Sequence, residues 1–457
     1  MGWRNAPPRS GVVPAVNAPL SDLPDGADVL KTTTSVCPDC LSKVPATVRR
    51  DGTDIVLDKV CPTHGRSVEL LESDSDFYFE ADASGGACGP GGCLFSHSCT
   101  LIFEITERCN LTCPTCFTAS SPEEEYFLPF ERFVTQLDWL LEHGKRDADI
   151  LQLSGGEPTI HPDLERMIEH ALERGIGKIY INTNGVVLGK SSELADRLSR
   201  FSDRLQLYLQ FDGFRASTYA SIRGADGLLT VKKRALEHAA SARLYTLPVV
   251  TVTRGVNDDE VGAVLRLAMQ RHPHCNTVML QPAMRAGRYL GDRRERRMTT
   301  GDVVAAVEEQ TGGLFTRADF GPIPCSHPNC FLLAVAVVRD GQLVPISRYF
   351  PRYETWSDPT VATRIARFTD RMPQNLLEVL AQDALVDELL DLLADGEDTI
   401  DWSDYRNFFL IGIKPFMDEH TYDQDRVDRC CTHVVDRSGM PVSLCEYNTL
   451  RRPRGLV

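Results

Sequence analysis

Two stretches decide the fold: LIFEITERCNLTCPTCF at residues 101–117 and ILQLSGGEP at residues 150–158. Each opens on a short apolar run of strand length and ends in a loop marked by cysteine or glycine. Further strand-like runs begin at Lys178 (KIYINT), Gln206 (QLYLQF), Leu247 (LPVVTVT) and Thr277 (TVMLQP). Between them lie stretches such as FERFVTQLDWLLEHG, DLERMIEHALERG and VGAVLRLAMQRH, whose apolar residues recur at three- and four-residue spacing. That spacing puts one apolar face on a helix. The alternation predicts right-handed crossovers and a parallel α/β sheet, closed or partly closed as a barrel, with its chemistry at the carboxyl ends of the strands.

Cys109, Cys113 and Cys116 follow the first of these strands at CxxxCxxC spacing. Three such thiolates can hold three irons of a [4Fe–4S] cube and leave the fourth iron open to a small molecule. A zinc site or a plain electron-transfer cluster would use the same residues. On the next strand, Gly155 and Gly156 let backbone come close to a ligand, and the Glu157 carboxylate can accept from a ligand ammonium. Thr183 and Asn184 close the third strand, Gln210 and Asp212 the fourth, and Thr251 and Thr253 lie on the fifth. Polar side chains there either aim into the barrel mouth or cap strands and turns.

The chain has 457 residues, a formal net charge of −15 and 15 cysteines. The acidic balance argues against a general nucleic-acid binder. The start, MGWRNAPPRSGVVPAV, has no long apolar core before a small-residue cleavage site. The longest apolar run, Phe331 to Val338, is far short of the ~20 residues that span a bilayer. A cytoplasmic protein is expected, and in a reducing cytosol clustered cysteines are metal ligands rather than bridges. Cys37-Pro-Asp-Cys40 and Cys61-Pro-Thr-His64 are two knuckles joined by a hairpin with its turn at Asp51-Gly52. Together they make a tetrahedral site for one zinc or iron ion. Cys88, Cys93, Cys99, Cys325, Cys330, Cys430, Cys431 and Cys445 remain, the number that two fully ligated cubes need. His97, His327 or His433 could replace one thiolate, and Cys275, alone near a strand start, reads as a packing residue.

The CxxxCxxC loop followed by GGEP on the next strand resembles the radical S-adenosylmethionine (SAM) superfamily. The resemblance implies that the open iron takes the amino and carboxylate groups of SAM and that the GGE region binds the SAM ammonium. The family commonly has an aromatic residue near the adenine just before the third cysteine; here Thr115 stands there and Phe117 follows the cysteine as the candidate for that contact. A narrower resemblance covers nearly the whole chain from Cys37. The CPxC…CPxHG ribbon, EITERCNLTCPTCF, LSGGEPTIHPDL, YLQFDG, LQPAMRAGR and the terminal CC…DRSGMPVSLCEYN look like the branch holding tetraether lipid synthase and the methanopterin-ring methylases. That branch implies a SAM cluster, two auxiliary [4Fe–4S] clusters and one mononuclear iron or zinc.

The expected organisation is an N-terminal arm (1–35), a small metal ribbon of rubredoxin-like or zinc-ribbon-like type (36–80), a cysteine loop (81–100), a partial (β/α)6 barrel (101–300) and a C-terminal auxiliary-cluster domain (301–457). The first functional reading is C–C bond formation on a lipid alkyl chain or other apolar substrate. The basic run Arg285, Arg288, Arg293, Arg294, Arg296 and Arg297 then meets an anionic headgroup, with peripheral membrane contact as the corollary. The alternative is a radical SAM methylase of a pterin-like heterocycle. A non-catalytic iron–sulfur electron carrier is the third reading, opposed by the GGEP strand. Either enzyme would need a reductase such as flavodoxin or ferredoxin.

Overall fold

The computed structural model describes residues 28–83, 98, 100–143, 150–293, 295–323, 326–339, 341–349 and 405–455. Cys88, Cys93, Cys99, Cys325, His97, Arg294 and the Leu-rich stretch from Pro373 to Ala394 lie outside the described residues.

The ribbon is a four-stranded antiparallel sheet: β1 (Asp28–Val36), β2 (Lys43–Asp51), β3 (Asp54–Cys61) and β4 (Gly65–Glu72). The hairpin read from the sequence is β2–β3. Residues 28–35, which composition assigns to an arm, instead form most of β1. Their polar run is held as a strand by pairing to β2 and by its contacts with the far end of the chain. Lys31 Nζ lies 2.9 Å from Asp423 and 2.8 Å from Asp425, and Thr33 donates to Asp423 at 2.6 Å.

The main sheet begins with β5 (Thr100–Thr106). A two-residue strand β6 (Thr115–Cys116) sits in the cysteine loop. Then come β7 (Ile150–Gly155), β8 (Lys178–Thr183), β9 (Leu205–Gln210), β10 (Tyr245–Val252) and β11 (Thr277–Pro282). From β5 through β7–β11 the strands pair in parallel in chain order. These are the strands the apolar runs predict. Helices cross back between them, for example α1 (Leu164–Glu173), which buries Leu164, Met167, Ile168 and Ala171 against the sheet. The C-terminal chain extends both edges. The strand Phe408–Ile413 adds in parallel beside β11, and Thr432–Val435 adds in parallel beside β5.

Alternation along these strands separates two environments. On β8, Ile179 and Ile181 enter the core under the helices; on β9, Leu205, Leu207 and Leu209 do. The opposite, concave face carries Gln152, Ser154, Tyr180, Asn182, Tyr208, Gln210 and Gln281. Parallel strands covered on both faces are ordinarily apolar throughout, so this polar row marks the face that meets ligands. Gln152 Nε2 donates to Asn182 Oδ1 at 2.5 Å, Asn182 to Ser154 Oγ at 2.9 Å, and Gln281 Nε2 to the Tyr208 hydroxyl at 2.9 Å. Cys275 is buried in the main core, as a packing residue is.

Candidate active site and metal centres

Cys109 and Cys113 are buried and Cys116 is half-buried, all in the loop after β5. The loop is pinned from several sides. β6 pairs with Arg288–Tyr289, and Arg288 donates to the carbonyls of Cys113 (3.0 Å), Ala119 (2.6 Å) and Ser120 (2.9 Å). Gly287, at φ +61°, lies where a Cβ would come within 2.4 Å of the Phe117 carbonyl. Among the described residues these three thiols do not form a group at single-ion spacing, whereas the ribbon ligands do. A set of thiols spread wider than one ion requires suits a multi-iron cube.

The GGEP turn has a different internal logic from the one its composition suggests. A Cβ on Gly155 (φ +116°) would sit 2.1 Å from the Thr106 carbonyl oxygen, and one on Gly156 equally close to that of Arg108. The glycines therefore let the end of β7 lie against the backbone after β5, where Gly156 N donates to Thr106 O and Glu157 N to Arg108 O. Glu157 is fully buried and faces inward. Its Oε1 accepts from Thr159 N (3.1 Å), Thr159 Oγ1 (2.5 Å) and Thr183 Oγ1 (2.7 Å), and its Oε2 from Asn184 N (2.7 Å). Burial raises its carboxyl above the ordinary range against these donors. Glu157 positions Thr183 and Asn184, and its own oxygens are engaged within the protein. Asn184 in turn places Nδ2 3.7 Å from Cys109 Sγ and 2.6 Å from Asn110 Oδ1.

Asp212 is likewise engaged. It pairs with Arg223 at 2.7 Å through both oxygens and accepts from Thr251 N at 3.1 Å. Burial works against the charge on Arg223, but Asp212 outweighs it and the Cys113 thiol lies beside it, so the guanidinium is held firmly charged. Lys232 is fully buried too, and its ammonium donates to the Asn184 carbonyl. Burial, with Arg223 nearby, brings its pKa down to about 8. Sequence reasoning missed Lys232, although a signal was there. It stands four residues from both Leu228 and Leu236 on the buried stripe of its helix, where a lysine is out of place.

Two predicted ligand-facing groups keep free valence. Gln210 Oε1 and Thr253 Oγ1 are buried and have no hydrogen-bond partner among the described residues. Buried polar atoms are nearly always paired, so these orphans at the carboxyl ends of β9 and β10 fit a polar ligand such as SAM. Thr251 Oγ1 accepts from Arg223 at 3.0 Å, and Phe117 lies 6.3 Å from Phe416, ring to ring.

In the ribbon, Cys37, Cys40, Cys61 and His64 bring their ligand atoms within 4.8 Å of one another. The Cys40–Cys61 sulfur separation is 3.9 Å, close to the roughly 3.8 Å edge of a tetrahedron with 2.3 Å metal–sulfur bonds. The backbone N–H groups of His64 and Thr63 point at Cys61 and bring its thiol down to about 6, ready to ligate as thiolate.

A further cysteine set converges below β5. Burial pushes Cys430 up to about 12, and the sulfurs of Cys445, Cys431 and Cys330 close by push the same way. Cys445 rises to about 11 by burial, moderated by Arg426. Arg426 Nε lies 3.4 Å from Cys330 Sγ, and Met417 N donates to Cys445 Sγ at 3.4 Å. Thiols buried together in this way are chemically suited to a bound cationic cluster. His327 is buried and lies 3.4 Å from Asp425, and His433 Nδ1 lies 2.9 Å from Ser98 Oγ.

The basic run does not form an open anion site. Arg285 donates to the carbonyls of Arg293 and Glu295, Arg288 holds the cysteine loop, Arg293 pairs with Glu419, Arg296 with Asp54 and Arg297 with Asp418. Each described member of the run is engaged with the protein itself, which removes the support it lent to a lipid headgroup.

Residues 103–268 match the radical SAM superfamily, and residues 29–73 match the HMPTM N-terminal zinc ribbon domain. This chain carries a radical SAM domain. The 7,8-dihydro-6-hydroxymethylpterin dimethyltransferase of Methanocaldococcus jannaschii is 28% identical over 487 aligned positions, covering 92% of this chain and 94% of that protein. Mycofactocin maturase MftC of Mycobacterium ulcerans is 31% identical over 182 residues, 37% of this chain and 47% of its own. Among solved structures, Streptococcus suis SuiB bound to S-adenosylmethionine aligns with a TM-score of 0.37 and 14% identity over 47% of each chain. The radical SAM domain occupies the partial barrel and the zinc ribbon the N-terminal sheet. No helix among the described residues is long and apolar enough to cross a membrane.

Proposed function

We propose that this radical SAM enzyme is a methyltransferase acting on a pterin-like heterocycle. The observation that carries the reading is the polar concave face of the barrel, where Gln152, Ser154, Asn182, Tyr208, Gln210 and Gln281 line the space beside the cysteine loop. Most of these groups bond to one another, but the buried Gln210 Oε1 has no partner among the described residues, and a polar ligand satisfies it where an alkyl chain leaves it unpaired at about 1–3 kcal/mol. Likeness over nearly the full length of a pterin dimethyltransferase points the same way. With a [4Fe–4S] cube on Cys109, Cys113 and Cys116 and SAM bound, the site would supply a 5′-deoxyadenosyl radical able to remove hydrogen from an unactivated carbon. The protein's part is to orient and to exclude water: Gln210 and Thr253 offer unpaired oxygens to SAM, while Glu157, Asn184 and Lys232 fix the loop wall. Cys330, Cys430, Cys431 and Cys445 are assigned to one auxiliary cluster.

The test uses anaerobic, iron- and sulfide-reconstituted full-length protein with SAM, a strong reductant and 7,8-dihydro-6-hydroxymethylpterin deuterated at its carbons. Deuterium is expected in the 5′-deoxyadenosine formed. 5′-Deoxyadenosine without deuterium, together with deuterium transfer from a deuterated alkyl lipid, would return the assignment to lipid chemistry.

A further inference from the structure

A row of side chains joins the SAM-cluster loop to the C-terminal cysteine group. It starts at Phe117, next to Cys116, whose ring centroid lies 6.3 Å from that of Phe416. Lys414 Nζ stands 5.6 Å from the Phe416 centroid and 5.7 Å from that of Phe331, which follows Cys330. Phe331 packs beside Leu247, Val249 and Met279 together with Tyr208, the residue whose hydroxyl meets Gln281. Phe117, Phe331, Lys414 and Phe416 are all only half-buried. Lys414 follows the strand beside β11, where its backbone N donates to the Leu280 carbonyl at 3.0 Å, and its ammonium reaches Thr432, which pairs with Thr100 at the start of β5.

Taking the pterin reading as its basis, we infer that Phe331, Lys414 and Phe416 form a platform that holds a flat, carbonyl-bearing nitrogen heterocycle between the two cysteine centres. Aromatic faces stack on planar rings in offset geometry. An ammonium between two rings is held by their negative faces. Lys414 has three donors and gives one to Thr432 Oγ1 at 3.0 Å. Two donors remain to meet a ring carbonyl or ring nitrogen. The Tyr208–Gln281 pair offers a second polar edge from the barrel floor. A saturated chain has neither the face nor the edge that this row recognises.

The experiment measures anaerobic binding of 7,8-dihydro-6-hydroxymethylpterin to reconstituted full-length protein by its fluorescence, with xanthine as a second flat, carbonyl-bearing heterocycle. Lys414→Met and Phe416→Leu are each expected to weaken pterin binding about tenfold. Phe416→Tyr, which keeps the ring, is expected to stay within about twofold of wild type. Iron content read on each variant separates a lost platform from a lost fold, and Lys414→Gln serves where Lys414→Met loses iron. Unchanged affinity in both Lys414→Met and Phe416→Leu overturns the platform and leaves the pterin reading standing. If wild type ignores the pterin but binds xanthine through Lys414, the platform stands and the pterin reading falls. Binding of neither overturns both.

Discussion

The side-chain amide of Asn184 lies 3.7 Å from Cys109 Sγ, so a residue at the end of the third barrel strand reaches a sulfur at the end of the first. Hydrogen bonds to cluster sulfurs raise the reduction potential, because they favour the more negative, reduced state. Asn184→Leu is therefore expected to lower the potential of the SAM cluster. A net bond of about 1 kcal/mol corresponds to roughly 40 mV for one electron. Redox titration followed by electron paramagnetic resonance reads this, and an unchanged potential would rule out the contact as a tuning bond.

Glu157 should behave as a structural knot. Glu157→Ala removes the acceptor for Thr159, Thr183 and Asn184 in a buried site. The expected loss of stability is about 3 kcal/mol or more. Glu157→Gln should also destabilise, because its NH2 group would face a donor wherever it turns. Denaturant unfolding of the full chain tests both. A Glu157→Gln protein as stable as wild type would show that the carboxylate is free to face a ligand.

Arg288→Met releases the carbonyls of Cys113, Ala119 and Ser120. The expected outcome is a lower iron content after reconstitution, with no change in sedimentation alongside anionic lipid vesicles. Retained iron with lost vesicle binding would restore the headgroup role to the basic run.

Glu72 gives a pH signature. It ends β4, accepts from Ser73 N at 2.8 Å and from Gly301 N at 3.0 Å, and burial pushes its carboxyl up to about 7. The folded state then holds a proton that the unfolded state has released. Stability should fall as pH rises from the unfolded value of 4.5 to about 7, by at most about 3 kcal/mol. Below 4.5 both states are protonated, and the contribution is fully present. Glu72→Gln should remove this slope, so its advantage over wild type grows from pH 4.5 to 7 and then levels. Parallel unfolding curves for the two proteins across that range would contradict the assignment.

Much of the barrel was legible because its outward rows, such as Ile179 and Ile181 or Leu205, Leu207 and Leu209, must pack under helices. Local composition cannot supply what depends on distant pairing. β1 is polar and becomes a strand through β2 and Asp423; Phe408–Ile413 and Thr432–Val435 are short runs whose parallel partners begin at Thr277 and Thr100, far back in the chain. The same limit applies within the site. Composition marks the GGEP turn and Asp212 as ligand-facing, yet Thr159, Thr183 and Arg223 turn both carboxylates inward. The cysteine spacing survived best, since the ribbon's CxxC and CxxH knuckles bring their own ligands together locally.

Lys31 and Asp425 meet across 394 positions of sequence, and Val36, beside the ribbon ligand Cys37, shares an apolar cluster with Cys445. During synthesis, the ribbon emerges long before the residues that seat it. Contacts of such sequence separation form late. The barrel cysteines are thus exposed as the nascent chain grows, whereas the group at Cys430 and Cys445 can assemble only after more than 400 residues have been made. Metal loading of this protein is expected to follow a fixed order, the ribbon ion first and the C-terminal cysteine group last.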